Sequence, residues 1–274
     1  MLPLEALALL AAVGAGAFGA LVGVGGGVIL VPLLTVFLGV PVTNAVAVSL
    51  LGVIAVSTTA SASYLSGGLV DRRVGLTLLV ATALGGVAGG YIAGYLDVRV
   101  ISGLFGVVLV AVAIQMLRSH GRPVVVPSGD PLRFEFDASY VEPTSGATIA
   151  YRARHLWPAT FVSLFAGALS GLLGIGGGVV NVPTMNVLMG LPIRVSTTTS
   201  TYMLGATAAA SAVLYASRGE VDLALAAPVV VGVFIGGRAG AIFQRRVPQH
   251  ALALSFAVIA AFFAVQMLLR TVNG

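Results

Sequence analysis

The sequence predicts an all-α, multi-pass membrane protein made of two homologous repeats of about five membrane segments each, and three observations lead to this fold class. The mean hydropathy is +1.06, with 58% hydrophobic and 8% charged residues, far outside the range of soluble globular proteins. Several apolar runs are long enough to cross a bilayer. A ten-residue pattern, GVGGGVILVP at residues 23–32, returns as GIGGGVVNVP at residues 174–183.

The predicted membrane segments fall into two sets, separated by a polar stretch. The N-terminal transmembrane repeat, residues 1–118, has apolar segments at 4–22, 28–39, 43–65, 75–96 and 99–117. The C-terminal transmembrane repeat, residues 156–274, has them at 156–173, 179–190, 195–216, 222–243 and 249–269. The second and seventh segments are too short to span as ordinary helices, because twelve residues rise only about 18 Å. They are predicted to be short helices, broken after the glycine motifs.

The two sets are copies of one another. An offset of 151 residues relates Gly23 to Gly174, and the same offset aligns the motif prolines, Ser49 with Ser200 and Asp71 with Asp222. No insertion is needed over about 95 residues of the aligned copies. Internal repeats of this kind are common in transporter folds, so the duplication favours a transport protein.

The arginines predict how the chain lies in the membrane. All 14 basic residues are Arg and the net charge is +5, which we interpret as a topology signal and not as a sign of nucleic-acid binding. With five crossings per repeat and both termini outside, ten arginines fall inside and Arg99, Arg218 and Arg270 outside. An odd number of crossings inverts the second copy. If segments 28–39 and 179–190 were re-entrant instead, Arg245 and Arg246 would move outside, against the positive-inside rule. Inverted repeats in a bacterial cytoplasmic membrane are therefore the favoured prediction.

Residues 119–155 form the predicted central cytoplasmic loop. They carry four of the nine acidic residues and two alternating stretches, RFEFDASYV and TIAYRA, on either side of a turn signal. The alternation predicts a small β-hairpin, and an extended linker between the repeats is the equal alternative.

The glycine motifs are the candidate ligand site. A backbone break in lipid is tolerated only where its polar groups are buried in protein or face a watery cavity. A helix that restarts after three glycines presents unpaired N–H groups, which attract an anion without a charged side chain. The alternative is that the glycines only allow close helix packing. The trailing proline in both copies favours the ligand site, because packing rarely requires it.

These residues also resemble a known family. The doubled pattern G-x-GGG-x-x-x-VP, followed by G-x-P and a glycine-rich helix, is similar to the sulfite exporter TauE/SafE family over nearly the whole chain apart from residues 119–155. The resemblance implies a transporter of sulfite, organosulfonates or other small sulfur-containing anions. It places the family's motifs on Gly25, Gly26, Gly27 and Pro32, and on Gly176, Gly177, Gly178 and Pro183. The family's Thr-Ser pair matches Thr199 and Ser200, whereas the first copy reads Val48-Ser49 and lacks one hydroxyl.

Other polar residues in the membrane segments are further candidates for substrate binding. Ser196, Thr199 and Ser200 can share one helix face and offer hydroxyl donors to an oxyanion, although hydroxyls in lipid often bond to their own helix instead. Asn181 replaces Leu30 of the first copy inside the second motif. Arg238 is the one Arg predicted well within a membrane segment, and its alternative role is to extend to the interface.

The residue types that are missing narrow the chemistry. The sequence has no Cys, no P-loop GK[ST] and no nucleophile near a base, so we expect no enzyme activity, cofactor or metal site. No carboxylate or histidine is predicted mid-membrane, which argues against a proton relay and favours anion export driven by the membrane potential. The expected partners are a small anion such as sulfite or a sulfonate, and the lipid bilayer. Import of a small anion, or a non-transporting membrane sensor, are the alternatives.

Overall fold

The chain is a bundle of long apolar helices with one small β-hairpin. The computed structural model describes residues 4–118, 137–142, 146–243 and 249–273. The helices are α1 Leu4–Val22, α2 Gly27–Pro32, α3 Val42–Ser66, α4 Arg72–Ala93, α5 Val98–Arg118, α6 Leu156–Leu173, α7 Gly178–Pro183, α8 Ile193–Ser217, α9 Leu223–Phe243 and α10 Gln249–Asn273. The strands are β1 Asp137–Val141 and β2 Thr148–Arg152. Helices α1, α3, α4, α6 and α9 are long and apolar enough to cross a membrane. The protein is thus a multi-pass membrane protein.

The helix boundaries repeat along the chain at the 151-residue offset seen in the sequence. Helices α2 and α7 both end at the motif proline and continue as one π-helical turn, Leu33–Phe37 and Thr184–Leu188. Proline has no N–H to donate, and its ring disturbs the preceding helical turn, which fits the change to wider π geometry at both sites. Together the α and π turns rise about 16 Å, roughly half of the hydrocarbon thickness. Each copy therefore contains a half-length helix.

Each repeat packs its first helix against the fourth helix of the other repeat. Helix α1 lies along α9, and α6 lies along α4. Glycines allow the close approach, because a Cβ on any of them would overlap a backbone carbonyl oxygen of the neighbouring helix. The pairs are Gly232 with Leu9, Gly236 with Val13, Gly240 with Ala17, Gly85 with Leu164 and Gly89 with Ala168. Such small-residue stripes are the usual means by which membrane helices pack without a hydrophobic driving force.

The equivalent helices α3 and α8 meet at the centre and run antiparallel. The Ser57 hydroxyl donates to the carbonyl oxygen of Thr201 at 2.7 Å, and the Thr198 hydroxyl donates to the carbonyl oxygen of Leu69. Leu69 follows the end of α3, whereas Thr198 lies near the start of α8. The end of α3 thus lies beside the start of α8. The side chains of Val53 and Leu204, which are related by the offset, both contact the glycine turns at the middle of this pair.

Two glycines test the packing of α1 against α9. A Cβ at Gly236 would overlap the Val13 carbonyl oxygen, whereas a Cβ at Gly14 meets no atom within 4 Å. We expect Gly236→Ala to cost about 1–3 kcal/mol of stability through overpacking. Gly14→Ala should be neutral or gain up to about 1 kcal/mol from helix propensity. Thermal unfolding in detergent micelles measures the stability of both variants. Equal melting temperatures for the two would contradict this packing.

Candidate functional site

The site lies where the chain breaks between α1 and α2, and again between α6 and α7. In these two turns Gly25, Gly26, Gly176 and Gly177 have φ values of +82°, +76°, +79° and +75°. Side chains rarely adopt such a backbone, so glycine is needed at all four positions. Gly27 and Gly178 follow as the first helical residues of α2 and α7. Every glycine of both motifs is buried.

The restart of each short helix leaves backbone donors without partners. In the described part of the chain, no backbone carbonyl accepts from the N–H groups of Gly26, Gly27 and Val28, or from those of Gly177, Gly178 and Val179. The next N–H groups are bonded: Leu30 donates to Gly26 and Asn181 to Gly177, at 2.9 and 3.1 Å. Buried unpaired N–H groups are rare in folded proteins because each one loses its bond to water. Two clusters of them therefore call for a polar partner.

The two turns contact each other across the two halves of the chain. A Cβ on Gly27 would overlap the carbonyl oxygen of Gly174, and one on Gly178 would lie 2.5 Å from the carbonyl oxygen of Gly23. Close contact between the halves thus also requires the third glycine of each GGG run. The structure places all six motif glycines in one central region, with the side chains of Val53 and Leu204 beside Gly25 and Gly176.

The motif prolines act on the backbone. Pro32 and Pro183 stand at the ends of α2 and α7, five residues beyond the glycines that begin these helices. Around them, Thr35 donates to the carbonyl oxygen of Val31 at 2.9 Å, and Thr184 donates to that of Val180 at 2.7 Å. The prolines thus lie at the transition to π-helix, while the polar groups of the site come from the glycine turns.

The hydroxyls of α8 do not converge on one ligand face. Ser196 donates to the carbonyl oxygen of Pro192, the residue just before α8, at 3.1 Å. Thr199 accepts from the N–H of Asp71 at 2.9 Å, which directs it towards the start of α4. Ser200 Oγ lies 3.1 Å from the position of a Cβ on Gly178. Of the three, Ser200 is the one that the structure brings to a glycine turn.

Equivalent serines of the two copies are used differently. Ser49 donates to the carbonyl oxygen of Gly174 at 2.8 Å, so its hydroxyl ties α3 to the second turn. The Ser200 hydroxyl is buried and has no hydrogen-bond partner. The predicted Asn181 is 1% exposed, and its Oδ1 has no partner either.

Sequence reasoning missed Ser170, in α6, whose hydroxyl is fully buried and unpaired as well. Its Cβ lies 3.4 Å from the position of a Cβ on Gly177. The signal that could have found it was the exchange of Gly19 for Ser170 between the copies.

The two internal arginines lie away from the turns. Arg238 is exposed on α9, so the structure does not bring it to the buried glycines. Its neighbours Gly236 and Gly237 face α1 and α3 instead. Arg194, at the start of α8, is 7% exposed, and its Nε lies 3.1 Å from a carboxylate oxygen of Glu142. Among the described residues, Arg194 is the one buried cation, and it forms an ion pair with Glu142, although its Nη1 has no hydrogen-bond partner.

A β-hairpin covers one end of the helix bundle beside α4 and α8. Its strands pair antiparallel from Asp137 opposite Arg152 to Val141 opposite Thr148. Tyr140 and Tyr151 pack their rings into a buried cluster with Leu69, Val74, Leu78, Ala159, Met185, Met189, Leu191, Val195 and Met203. The strands thus close over the first turns of two long helices.

Polar contacts fix the hairpin in this position. The Tyr151 hydroxyl donates to Asp71 Oδ2 at 3.0 Å, and Asp71 Oδ1 caps α4 by accepting from the N–H of Val74. Burial raises the pKa of Tyr151 above its ordinary value, and the charge of Asp71 raises it further. Tyr140, whose pKa burial also raises, donates to Glu142 at 2.7 Å. Both hydroxyls therefore stay protonated and keep donating at physiological pH.

Ser49 and Ser200 provide a matched pair of substitutions for the turns. Ser49→Ala removes the donor to the buried Gly174 carbonyl, and we expect it to cost about 1–3 kcal/mol. Ser200→Ala removes a hydroxyl without a partner and should change stability little in the absence of ligand. Thermal unfolding of the two variants checks the difference. A larger loss for Ser200→Ala would contradict the hydrogen bonding described here.

The hairpin contact is tested by Tyr151→Phe. Loss of the bond to the Asp71 carboxylate should cost about 1.5–3 kcal/mol, because bonds to charged groups are the stronger class. Tyr202→Phe is the control, since in the described part of the chain the Tyr202 hydroxyl makes no hydrogen bond. Melting temperatures in detergent compare the two, and an equal fall in both would remove the role assigned to Tyr151.

Comparison with known proteins finds relatives over nearly the whole length of the chain. The chain is 28% identical over 263 residues to a probable membrane transporter protein, YunE, of Bacillus subtilis, covering 93% of each chain. It is 24% identical to the probable membrane transporter protein MJ0441 of Methanocaldococcus jannaschii, covering 93% of this chain and 91% of that one. No solved structure matches it significantly. The family model described as sulfite exporter TauE/SafE matches residues 8–267, and the chain belongs to this family.

Proposed function

We propose that this protein exports sulfite or a related small sulfur-containing anion, such as an organosulfonate, across the bacterial cytoplasmic membrane. The single observation that carries the proposal is the pair of facing glycine turns, with six buried N–H groups that no backbone carbonyl accepts in the described structure. Membership of the sulfite exporter TauE/SafE family supports a sulfur-containing anion as the substrate, and the names of the relatives support membrane transport. An oxyanion supplies the acceptors that these donors lack.

The anion is held by neutral groups. The motif glycines supply amides, and their glycine backbone lets a ligand approach closely. Ser200 and Asn181 add polar side chains, while Ser49 supports the second turn through Gly174. Ser196, Thr199 and Arg238 have other environments in the structure, and we assign them no direct contact with the anion.

The repeats are inverted in the membrane, with both termini outside and the hairpin in the cytoplasm. The antiparallel packing of α3 against α8 supports inversion, because a two-fold axis along the membrane normal would set equivalent helices parallel. The positive-inside rule supports the orientation, because Arg72, Arg73, Arg152, Arg154 and Arg194 lie on the hairpin side.

Transport follows from movement of one helix group against the other. Helices α1, α9 and α3 form one packed group, and their equivalents α6, α4 and α8 form the second. The glycine turns, buried in the conformation described here, lie between these groups. Rocking of one group would open the site to each side in turn, as in other transporters built from inverted repeats.

The membrane potential is the energy source. The described carboxylates and histidines lie at helix ends or in the hairpin, so the described spans hold no proton relay of those groups. An inside-negative potential drives an anion outwards by about 2.3 kcal/mol per charge for each 100 mV.

Proteoliposomes loaded with labelled sulfite test the proposal. Efflux should accelerate when an inside-negative potential is imposed at constant pH on both sides, and protein-free liposomes are the control. Efflux that follows a pH gradient and ignores voltage would contradict the energy source. Accumulation against the imposed potential would indicate an importer, and no flux of any sulfur anion would favour a membrane sensor.

A further inference from the structure

The two glycine turns differ in the side chains around them. Three positions related by the 151-residue offset surround each turn: Gly19, Leu30 and Ser49 in the first copy, and Ser170, Asn181 and Ser200 in the second. The first set contains one hydroxyl and the second contains two hydroxyls and an amide. Duplication alone would make the two turns alike, so the difference calls for a physical reason.

The first turn has no room and no free donor among these three positions. A Cβ at Gly19 would overlap the backbone nitrogen of Gly26, so α1 lies directly on the turn. Leu30 is apolar and 1% exposed. The Ser49 hydroxyl is engaged with the carbonyl oxygen of Gly174. A ligand at this turn would find backbone amides and no polar side chain from this set.

The second turn has three buried polar side chains with unpaired atoms. Ser170 Oγ, Asn181 Oδ1 and Ser200 Oγ have no hydrogen-bond partner, and the three residues are 0%, 1% and 0% exposed. Ser170 adjoins Gly177 and Ser200 adjoins Gly178. Asn181 lies in the first turn of α7, and side chains in a helix lean towards its N-terminus. Each unpaired group costs about 1–3 kcal/mol unless a partner binds.

We infer that the protein has one anion site, off the centre between the repeats, formed by Ser170, Asn181 and Ser200 beside Gly177 and Gly178. The inference rests on the proposed function and narrows its site to one of the two turns. The two serine hydroxyls rotate to donate to the anion. Rotation about the last bond of Asn181 exchanges its oxygen and nitrogen, so the amide can also donate.

The chemistry of this site selects a singly charged anion. All of its groups are neutral, and the one buried cation among the described residues, Arg194, is paired with Glu142. The cost of removing an ion from water grows with the square of its charge, so a doubly charged anion needs more donors than a singly charged one. The site therefore favours hydrogensulfite and sulfonates over sulfate.

Binding of methanesulfonate and sulfate to the purified full chain tests the inference, with titration calorimetry as the measurement and sulfite as a third probe. Ser200→Ala and Asn181→Leu should each weaken methanesulfonate binding by at least about tenfold. Ser170→Ala is a third variant in case Asn181→Leu fails to fold. Ser61→Ala is the matched control, because the Ser61 hydroxyl is also buried and unpaired. It lies twelve residues beyond Ser49, about 18 Å along α3. The Ser61→Ala variant should bind methanesulfonate as tightly as the unmodified protein does.

The outcomes separate this inference from the proposed function. If the unmodified protein binds methanesulfonate and the folded site variants bind it equally well, the one-site inference is overturned and the proposed function stands. Sulfate binding as tight as methanesulfonate binding overturns the selection for a single charge. If the unmodified protein binds none of the three anions, the proposed function itself fails.

Discussion

The structure depends on one constraint, which is that peptide groups in lipid need hydrogen-bond partners within the protein. A continuous helix meets this constraint by itself, and this chain departs from it at two equivalent places. At each place the following helix is short and starts with N–H groups that no backbone carbonyl accepts within the described residues. The breaks are stable only because both turns are buried against each other between α3 and α8. The central position of the two glycine turns and their burial thus both follow from the need of peptide groups in lipid for hydrogen-bond partners.

Glycine serves this arrangement in two distinct ways. At Gly26 and Gly177 it supplies a positive φ, which reverses the chain locally. At Gly236 and Gly89 it supplies close approach between helices of different repeats. The second use ties each repeat to the other, so neither forms a separate unit. The two three-helix groups are therefore mixed, each with helices from both halves of the sequence.

Much of the fold could be predicted from the sequence, because hydropathy and the 151-residue offset report on local structure. The breaks after Val22 and Leu173 and the short helices behind them follow from glycine and proline alone. The direction of individual hydroxyls could not be predicted, because it depends on how α8 is rotated against α4. Thr199 thus points to Asp71, and Ser200 is the one of the three predicted α8 hydroxyls that reaches a glycine turn. The exposure of Arg238 could not be predicted for the same reason. Its direction depends on which face of α9 packs its glycines against α1 and α3.

The hairpin end of the bundle carries bonds that its counterpart cannot form. Thr199 accepts from the N–H of Asp71, and Thr198 donates to the carbonyl oxygen of Leu69, joining the start of α8 to the connection between α3 and α4. The offset replaces these threonines with Val48 and Ala47 in the first repeat, which have no hydroxyl. The hairpin adds Tyr151 to the same Asp71. The duplication therefore leaves the two ends of the bundle different, because these hydrogen bonds tie the start of α8 to the connection between α3 and α4, and the equivalent positions of the first repeat have no hydroxyl to do the same.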